Sequence, residues 1–201
     1  MSRKNPYAGQ DPRTREAKAK GYPARSVFKL EEIDRRLRLL RPGQHVLDLG
    51  AAPGSWSLYA SQRVGERGRV FAVDLEELLQ TFGPNVEVLR GDALDLENRE
   101  LSRFAPYDVV LSDMAPRTSG NKLADQARSA ELYLRALAVG VALGKPGSAF
   151  VGKIFMSGDF NEARARTAQA YSKVQVIRPE GTRTVSSEVF IVGDGLKPAP
   201  A

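Results

Sequence analysis

The sequence contains no cysteine and only one histidine, His45, among its 201 residues. The absence of cysteine excludes disulfides, thiolate nucleophiles, iron–sulfur clusters and cysteine-based zinc sites. A single histidine excludes His-rich metal sites and makes any Ser-His-Asp triad depend on that one residue. We therefore expect no metal ion, and any catalytic groups should come from Asp, Glu, Lys, Ser or Tyr.

The sequence also lacks an apolar run near the ~20 residues that span a bilayer, and no apolar stretch follows the first residues to form a secretory signal. The apolar content of 42% is too high for a disordered chain, and a length of 201 residues suits one globular domain. We expect a cytoplasmic, monomeric protein that does not associate with membranes.

Positive charge is concentrated at the N-terminal end. Residues 1–29 hold eight basic and two acidic side chains, and this difference equals the net charge of +6 of the whole chain. Such a segment is typical of an arm that binds a polyanion, most often nucleic acid, although a solvated tail has the same composition. Proline and glycine indicate short turns, so we interpret residues 1–24 as a basic arm. The eight basic residues of the range 1–29 are Arg3, Lys4, Arg13, Arg15, Lys18, Lys20, Arg25 and Lys29.

Residues 25–198 have the pattern of a single α/β domain. Apolar residues at three- and four-residue steps predict a helix over 26–40. Apolar strands that alternate with helices predict a seven-stranded, mostly parallel sheet with helices on both faces. The connection of about nine residues before the last strand is too short for a crossover and predicts that this strand is antiparallel. Strands are predicted at 45–50, 69–74, 86–92, 107–113, 148–155, 173–178 and 187–193, and helices at 54–64, 126–143 and 159–171, with weaker helical signals at 76–81 and 96–104.

An acidic residue stands at or near the end of each of the first four predicted strands, namely Asp48, Asp74, Asp92 and Asp113. An isolated aspartate there also caps helices and starts turns. Four in succession favour a ligand site, because open parallel sheets bind ligands outside the carboxyl ends of their strands.

The loop after the first strand indicates a nucleoside-like ligand without a pyrophosphate. It contains Gly50 and Gly54, but Ala52 and Pro53 break the GxGxxG fingerprint. Acidic side chains would repel a pyrophosphate, which disfavours an NAD-dependent oxidoreductase of the same fold. S-adenosylmethionine, with ribose hydroxyls, an amino group and a cationic sulfur, suits these acids better.

Several segments resemble the FtsJ family of RNA ribose 2′-O-methyltransferases, and they follow the family order over about residues 10–198. Any one segment is weak evidence, whereas the set is highly specific. The segments are Arg25–Leu30, Asp48–Gly54 with Trp56-Ser57, Gly91-Asp92, Ser112–Pro116 with Ser119-Gly120, Lys153–Phe155 and Ser187–Val192.

This resemblance implies a Rossmann-like S-adenosylmethionine-dependent methyltransferase fold and a catalytic set of Lys29, Asp113, Lys153 and Glu188. It implies a uridine of large-subunit (23S) ribosomal RNA as the substrate, presented within the assembled subunit, although tRNA-acting relatives share the same four residues. The cofactor residues that it implies are Gly54, Trp56, Asp74, Asp92 and Asp113, with Asp48 and Gly50 in the same loop; Trp56 could equally be a core residue.

A ribose hydroxyl is a poor nucleophile and needs a proton acceptor, and a lysine can serve when burial and nearby cations disfavour its charge. Lys153 lies in an apolar predicted strand, and Lys29 would be a second cation brought to the site by the N-terminal helix. We therefore hypothesise that Lys153 orients and deprotonates the hydroxyl. Asp113 would position the methyl donor and Lys153, while Lys29 and Glu188 align the site.

The sequence departs from the family pattern at two positions. Ser55 stands where a second glycine is frequent, and Gly152 replaces a branched apolar residue that would pack beside Lys153. We expect the first to alter the cofactor loop slightly.

Two rival functions remain open at the level of sequence. A non-catalytic RNA-binding module would keep the basic arm without needing Lys153 or Glu188. A small-molecule O-methyltransferase would have no use for the arm. The segment Ala115-Pro116-Arg117 offers no aromatic residue to stack a flipped base, which disfavours methylation of a base amine.

Overall fold

The seven predicted strands form one sheet in the computed structural model, which describes residues 11–78, 80–117, 119–180 and 187–198. The strands are β1 His45–Leu49, β2 Arg69–Asp74, β3 Val86–Arg90, β4 Tyr107–Ser112, β5 Gly144–Phe155, β6 Tyr171–Ile177 and β7 Glu188–Leu196. Their spatial order is β3-β2-β1-β4-β5-β7-β6. Strands β1 to β5 pair in parallel, and β7 runs antiparallel to both β5 and β6. The predicted α/β class and the antiparallel last strand are therefore confirmed.

Helices cover both faces of this sheet. They are α1 Pro12–Ala19, α2 Val27–Leu37, α3 Ser55–Val64, α4 Asn98–Leu101, α5 Lys122–Leu143 and α6 Phe160–Ala170. On one face, α2 and α3 pack in an apolar cluster that includes Leu30, Trp56, Val151 and Phe190. On the other face, α4, α5 and α6 form a second cluster with residues such as Tyr133 and Phe150. Alternate residues of each strand enter opposite clusters, because strand side chains have a period of two.

The structure of the N-terminal region differs from the sequence prediction. Residues 1–24 were expected to form an arm with short turns, but residues 12–19 form the helix α1. Asp11 caps this helix by accepting a hydrogen bond from the Arg13 amide, and Pro12 occupies its first turn, where no amide donor is needed. Only Ala17 is buried, so the helix carries no apolar period that a sequence pattern could reveal. Residues 1–10, with Arg3 and Lys4, lie outside the described residues.

The weak helical signals have different outcomes. The prediction at 76–81 is wrong for the described residues of that range, where the backbone is bent or irregular. The prediction at 96–104 shrinks to α4, a single turn with a capping box between Glu97 and Glu100. None of the helices in the described ranges is long and apolar enough to cross a membrane.

Candidate active site

A cavity of about 280 Å³ opens at the carboxyl ends of β1, β2, β3 and β4. Its lining contains four acidic residues and no basic one among the described residues. The four acids are Asp74, Glu76, Asp92 and Asp113; Gly50, Leu75, Met114 and Leu132 complete much of the wall. Of the predicted cofactor residues, the cavity therefore brings together Gly50, Asp74, Asp92 and Asp113.

Gly50 lets the loop after β1 approach the loop after β4. Its φ is +78°, and a Cβ at this position would lie 2.6 Å from the Met114 side chain and 2.8 Å from the Met114 backbone nitrogen. Because backbone cannot give way as a flexible side chain can, only glycine fits here. The Asp113 amide donates to the Leu49 carbonyl at 3.2 Å, which holds the two loops together.

Backbone hydrogen bonds fix two of the acidic side chains at the cavity. Asp74 accepts hydrogen bonds from the amides of Ala52 and Glu76, both at 2.8 Å. Asp92 accepts one from the Leu94 amide at 2.9 Å. These bonds pre-orient the carboxylates, and each retains lone pairs that can accept from hydroxyl or amine groups of a ligand.

Lys153 and Asp113 form an ion pair beside the cavity. The Lys153 ammonium lies 3.0 Å from Asp113 Oδ1 and also donates a hydrogen bond to the Asp113 carbonyl oxygen. Lys153 is 6% exposed, because it occupies a buried position of β5. The charge nearest to Lys153 is therefore a carboxylate, whereas the sequence hypothesis invoked the second cation, Lys29.

Lys29 instead pairs with Glu188. Its ammonium lies 2.5 Å from Glu188 Oε1 and 5.8 Å from the centre of the Phe190 ring. Lys153 lies opposite Phe190, and Phe155 lies opposite Glu188, in the antiparallel β5–β7 pair. Directly opposed residues of antiparallel strands share a face, so Lys153 and Glu188 project on the same side of the sheet. The two ion pairs therefore place all four predicted catalytic residues on the same face of the sheet, near the carboxyl ends of its parallel strands.

Asp48 lies beneath this site and does not line the cavity. Its side chain is fully buried within β1 and accepts a hydrogen bond from the Ser57 hydroxyl at 2.6 Å. Burial raises the pKa of Asp48 to about 7, and the nearby charges of Asp113 and Asp74 act in the same direction, while the Ser57 hydrogen bond opposes them. Asp48 Oδ1 has no hydrogen-bond partner among the described residues.

Gly54 and Trp56 also lie outside the cavity lining. Gly54 adopts a φ of +106° at the start of α3, and a Cβ there would lie 2.9 Å from the Phe82 ring. The indole of Trp56 is 2% exposed, and its Nε1 donates to the Ser26 carbonyl at 2.9 Å. The sequence left a cofactor contact and a core position open for Trp56. The indole occupies the core position.

Ser55 forms a contact that no sequence pattern indicated. Its hydroxyl accepts a hydrogen bond from the Ala24 amide at 2.8 Å and donates one to the Ala24 carbonyl at 3.1 Å. The departure from glycine therefore ties the first turn of α3 to the segment between α1 and α2.

Gly152 does not leave a gap beside Lys153. Lys153 projects toward α2 and α3, whereas Gly152, its neighbour in the strand, faces the other side of the sheet. A Cβ on Gly152 would lie 2.6 Å from the Phe150 ring and 2.7 Å from the Tyr133 ring. The expectation that this departure removes packing beside the lysine is wrong, because aromatic rings fill the space on the opposite face.

Asp125 is a residue that the sequence pattern did not single out. Asp125, in the first turn of α5, accepts hydrogen bonds from the amide and the hydroxyl of Ser119 at 2.9 and 2.8 Å. These two bonds lower the pKa of Asp125 and anchor the loop that follows β4. Within the described ranges, no group of three or more His, Asp or Glu side chains could hold a metal ion.

Comparisons of the sequence with known proteins give one consistent family. A family model described as FtsJ-like methyltransferase matches residues 22–196. The chain is 65% identical over 190 residues to ribosomal RNA large subunit methyltransferase E of Sorangium cellulosum (strain So ce56), a match that covers 94% of this chain and 90% of that protein. It is 47% identical over 185 residues to the protein of the same name from Desulfatibacillum aliphaticivorans, covering 92% and 89% of the two chains.

Solved structures share the fold. A Plasmodium falciparum protein described as a ribosomal RNA methyltransferase superposes with a TM-score of 0.76 at 22% identity, covering 87% of this chain and 98% of that one. Human methyltransferase-like protein 13, in complex with SAH, gives a TM-score of 0.58 at 18% identity, covering 81% and 79%. With the family model spanning nearly the whole domain, the chain belongs to the FtsJ-like methyltransferase family.

Proposed function

We propose that this protein transfers a methyl group from S-adenosylmethionine to a ribose 2′-hydroxyl in RNA, and that the target is a uridine of large-subunit ribosomal RNA. The observation that carries the proposal is the union of an acidic cavity with the adjoining Lys153–Asp113 and Lys29–Glu188 pairs. The curated relatives named as ribosomal RNA large subunit methyltransferases support the choice of substrate.

The residues of the cavity fit this cofactor. Asp74, at the end of β2, is suited to accept hydrogen bonds from ribose hydroxyls, and Asp92 from an amino group. Leu75 and Leu132 offer apolar contact to a ring system. With no basic residue in the described lining, the acids favour a cationic ligand and would repel a pyrophosphate. When bound, S-adenosylmethionine supplies a methyl group activated by its cationic sulfur.

The residues beside the cavity perform the remaining chemistry. Lys153 Nζ would orient the ribose hydroxyl and, in its neutral form, would accept the hydroxyl proton. The ammonium that results is the form that Asp113 pairs with. Asp113 contacts both the cavity and Lys153, so it sets the position of the lysine relative to the bound cofactor. Lys29 and Glu188 hold each other in an ion pair and would align the ribose. Alignment of this kind supplies much of the rate of an in-line transfer.

RNA binding is assigned in this proposal to the basic N-terminal region, whose helix α1 precedes the helix that carries Lys29. Arg15 and Lys18 on α1 have exposed side chains that can reach phosphates. The protein would act as a monomer in the cytoplasm, where ribosomal subunits are assembled.

The test is methyl transfer from labelled S-adenosylmethionine to large ribosomal subunits, naked ribosomal RNA and tRNA, followed by mapping of the modified ribose. We expect incorporation into the large subunit at a uridine 2′-oxygen. Preferential labelling of tRNA would establish the tRNA enzyme instead. Calorimetric titration with S-adenosylmethionine and with NADH separates the methyltransferase from an oxidoreductase, and binding without transfer to any RNA would indicate a non-catalytic module.

A further inference from the structure

The first turn of α3 holds the beginning of α2 through two side chains. Trp56 Nε1 donates to the carbonyl of Ser26, the residue that precedes α2, at 2.9 Å. Ser55 makes two hydrogen bonds with the backbone of Ala24. Lys29 follows Ser26 by three residues, so these bonds fix the chain within one helical turn of the Lys29 backbone.

Trp56 also contacts the ring that lies beside the Lys29 ammonium. The Trp56 and Phe190 ring centres are 5.6 Å apart, with an angle of 35° between their planes. Lys29 Nζ lies 5.8 Å from the centre of the same Phe190 ring. The indole therefore contacts both the backbone at the start of α2 and the Phe190 ring. Phe190 lies on β7, beside the Lys29 ammonium and opposite Lys153.

The surroundings of the indole leave it no direct contact with a ligand in the cavity. Trp56 is 2% exposed, it is absent from the cavity lining, and its single donor is used by Ser26. Gly50 and Ala52 line the cavity, and the loop that contains them leads directly into Ser55 and Trp56. The first turn of α3 therefore connects the cofactor loop to the helix that carries Lys29.

We infer that Trp56 is a positioning residue that acts through Lys29, with Ser55 as a second link between α3 and the entry to α2. The inference rests on the proposed function, since it takes Lys29 as a member of the reacting site. The indole fixes the start of α2 and supports the Phe190 ring, so that the Lys29 ammonium reaches Glu188.

The first experiment replaces Trp56 by Phe, which keeps an aromatic ring against Phe190 but removes the donor to Ser26. We expect kcat to fall about three- to tenfold, the range that follows from loss of one hydrogen bond, while KM for S-adenosylmethionine changes less than twofold. Ser55→Ala should act in the same direction. A raised cofactor KM with unchanged kcat would show that Trp56 serves the cofactor and would overturn the inference.

Two variants on the same helix serve as matched controls. Tyr59→Phe also removes one hydrogen bond from α3 to α2, but that bond goes to Asp34, toward the end of α2 remote from Lys29. Ser61→Ala removes a hydroxyl that bonds only within α3, to Leu58. Tyr59→Phe should lower the urea midpoint of unfolding, because it removes a contact between the two helices. Both variants should leave kcat within twofold. Equal losses of kcat in Tyr59→Phe and Trp56→Phe would indicate general loosening of the α2–α3 contact and would refute a specific role for Trp56.

A double-mutant cycle with Lys29 decides whether Trp56 acts through that residue. We expect the effect of Trp56→Phe on kcat to shrink below twofold in a Lys29→Ala background. If Lys29→Ala is slow but Trp56→Phe keeps its full effect there, the inference fails and the proposed function stands. If Lys29→Ala alone retains the kcat of the unmodified protein, the proposed role of Lys29 fails and the inference fails with it.

Discussion

Lys153 shows how a single buried position concentrates the proposed chemistry. The side chain projects from a strand whose neighbouring positions are apolar, and Asp113 holds its ammonium by the carboxylate and the carbonyl oxygen. A buried lysine requires such a partner, because an unpaired charge in the interior costs several kcal/mol. Because Asp113 lines the cavity, the same contacts hold the Lys153 amine beside the cavity in a defined orientation.

Replacement of Lys153 by Met should preserve the length of the side chain and remove the amine. We expect kcat for RNA methylation to fall by about 10²- to 10⁴-fold, the range for loss of a general base, with little change in cofactor affinity. Lys145→Met is the matched control, because Lys145 lies on the same strand but is exposed and pairs with Asp108. Turnover of Lys153→Met near that of the control would remove Lys153 from the mechanism.

Asp48 is the second residue whose environment predicts a measurable property. Its folded pKa of about 7 exceeds the ordinary value, mainly through burial. Between about pH 4 and 7 the unfolded carboxyl releases its proton while the folded one retains it, so Asp48 lowers stability as the pH rises through this window. Above pH 7 both states are ionised and the loss stays constant.

Asp48→Asn removes this titration and retains an oxygen that can accept from Ser57. We expect the unfolding free energy of the variant to rise relative to that of the unmodified protein between pH 4 and 7, by up to about 4 kcal/mol at 1.4 kcal/mol for each unit of pKa. Urea unfolding at several pH values measures the difference. A difference that is independent of pH would contradict the raised pKa.

At the scale of elements, consecutive residues of β5 lie in two different environments. Lys153 belongs to the face covered by α2 and α3, whereas Gly152 lies under the rings of Phe150 and Tyr133 on the face covered by α5. Gly152 therefore leaves room for the aromatic rings that pack over it. Because it faces away from Lys153, it can affect that lysine only indirectly.

Gly152→Val should therefore destabilise the fold more than it alters catalysis. A branched side chain would collide with buried rings, and overpacking of this kind costs about 1–3 kcal/mol. Thermal or urea unfolding measures the loss, and Phe150→Leu in the same chain should recover part of it by vacating space. If the double variant is no more stable than Gly152→Val alone, the rings are not the source of the strain.

At the scale of the whole molecule, charge is divided between two regions. Residues 1–29 carry the net charge of +6, and the remaining residues hold 22 basic and 22 acidic side chains. Within that balanced part, acids gather around the cavity while Lys153 and Lys29 are each paired with an acid. The division suits a cationic cofactor in the cavity and a polyanionic substrate on the basic N-terminal region.

Neutralising exposed cations of α1 tests this division. Arg15→Gln with Lys18→Gln should weaken RNA binding and reduce the slope of log affinity against log salt by about 1–2, because fewer counterions are released. Arg164→Gln with Lys173→Gln is the control, since these residues are exposed on α6 and β6. An unchanged salt slope in the α1 variant would exclude α1 from the RNA contact.

The sequence by itself determined the succession of the seven strands along the chain, the longer helices from α2 onward, the antiparallel last strand and the family. Apolar periodicity reports which residues are buried, and the order of the short family motifs is read directly from the sequence. Helix α1 escaped because it buries only Ala17 and so carries no apolar period.

Only the tertiary structure decided what each candidate touches. Asp48 and Asp113 both stand near strand ends in the sequence. The structure buries Asp48, which accepts a hydrogen bond from Ser57, whereas Asp113 lines the cavity. Trp56 follows the cofactor loop directly, yet its indole turns into the core toward Ser26. Such contacts join residues that are far apart in the chain, and their geometry depends on how helices pack across the sheet, which local sequence does not encode.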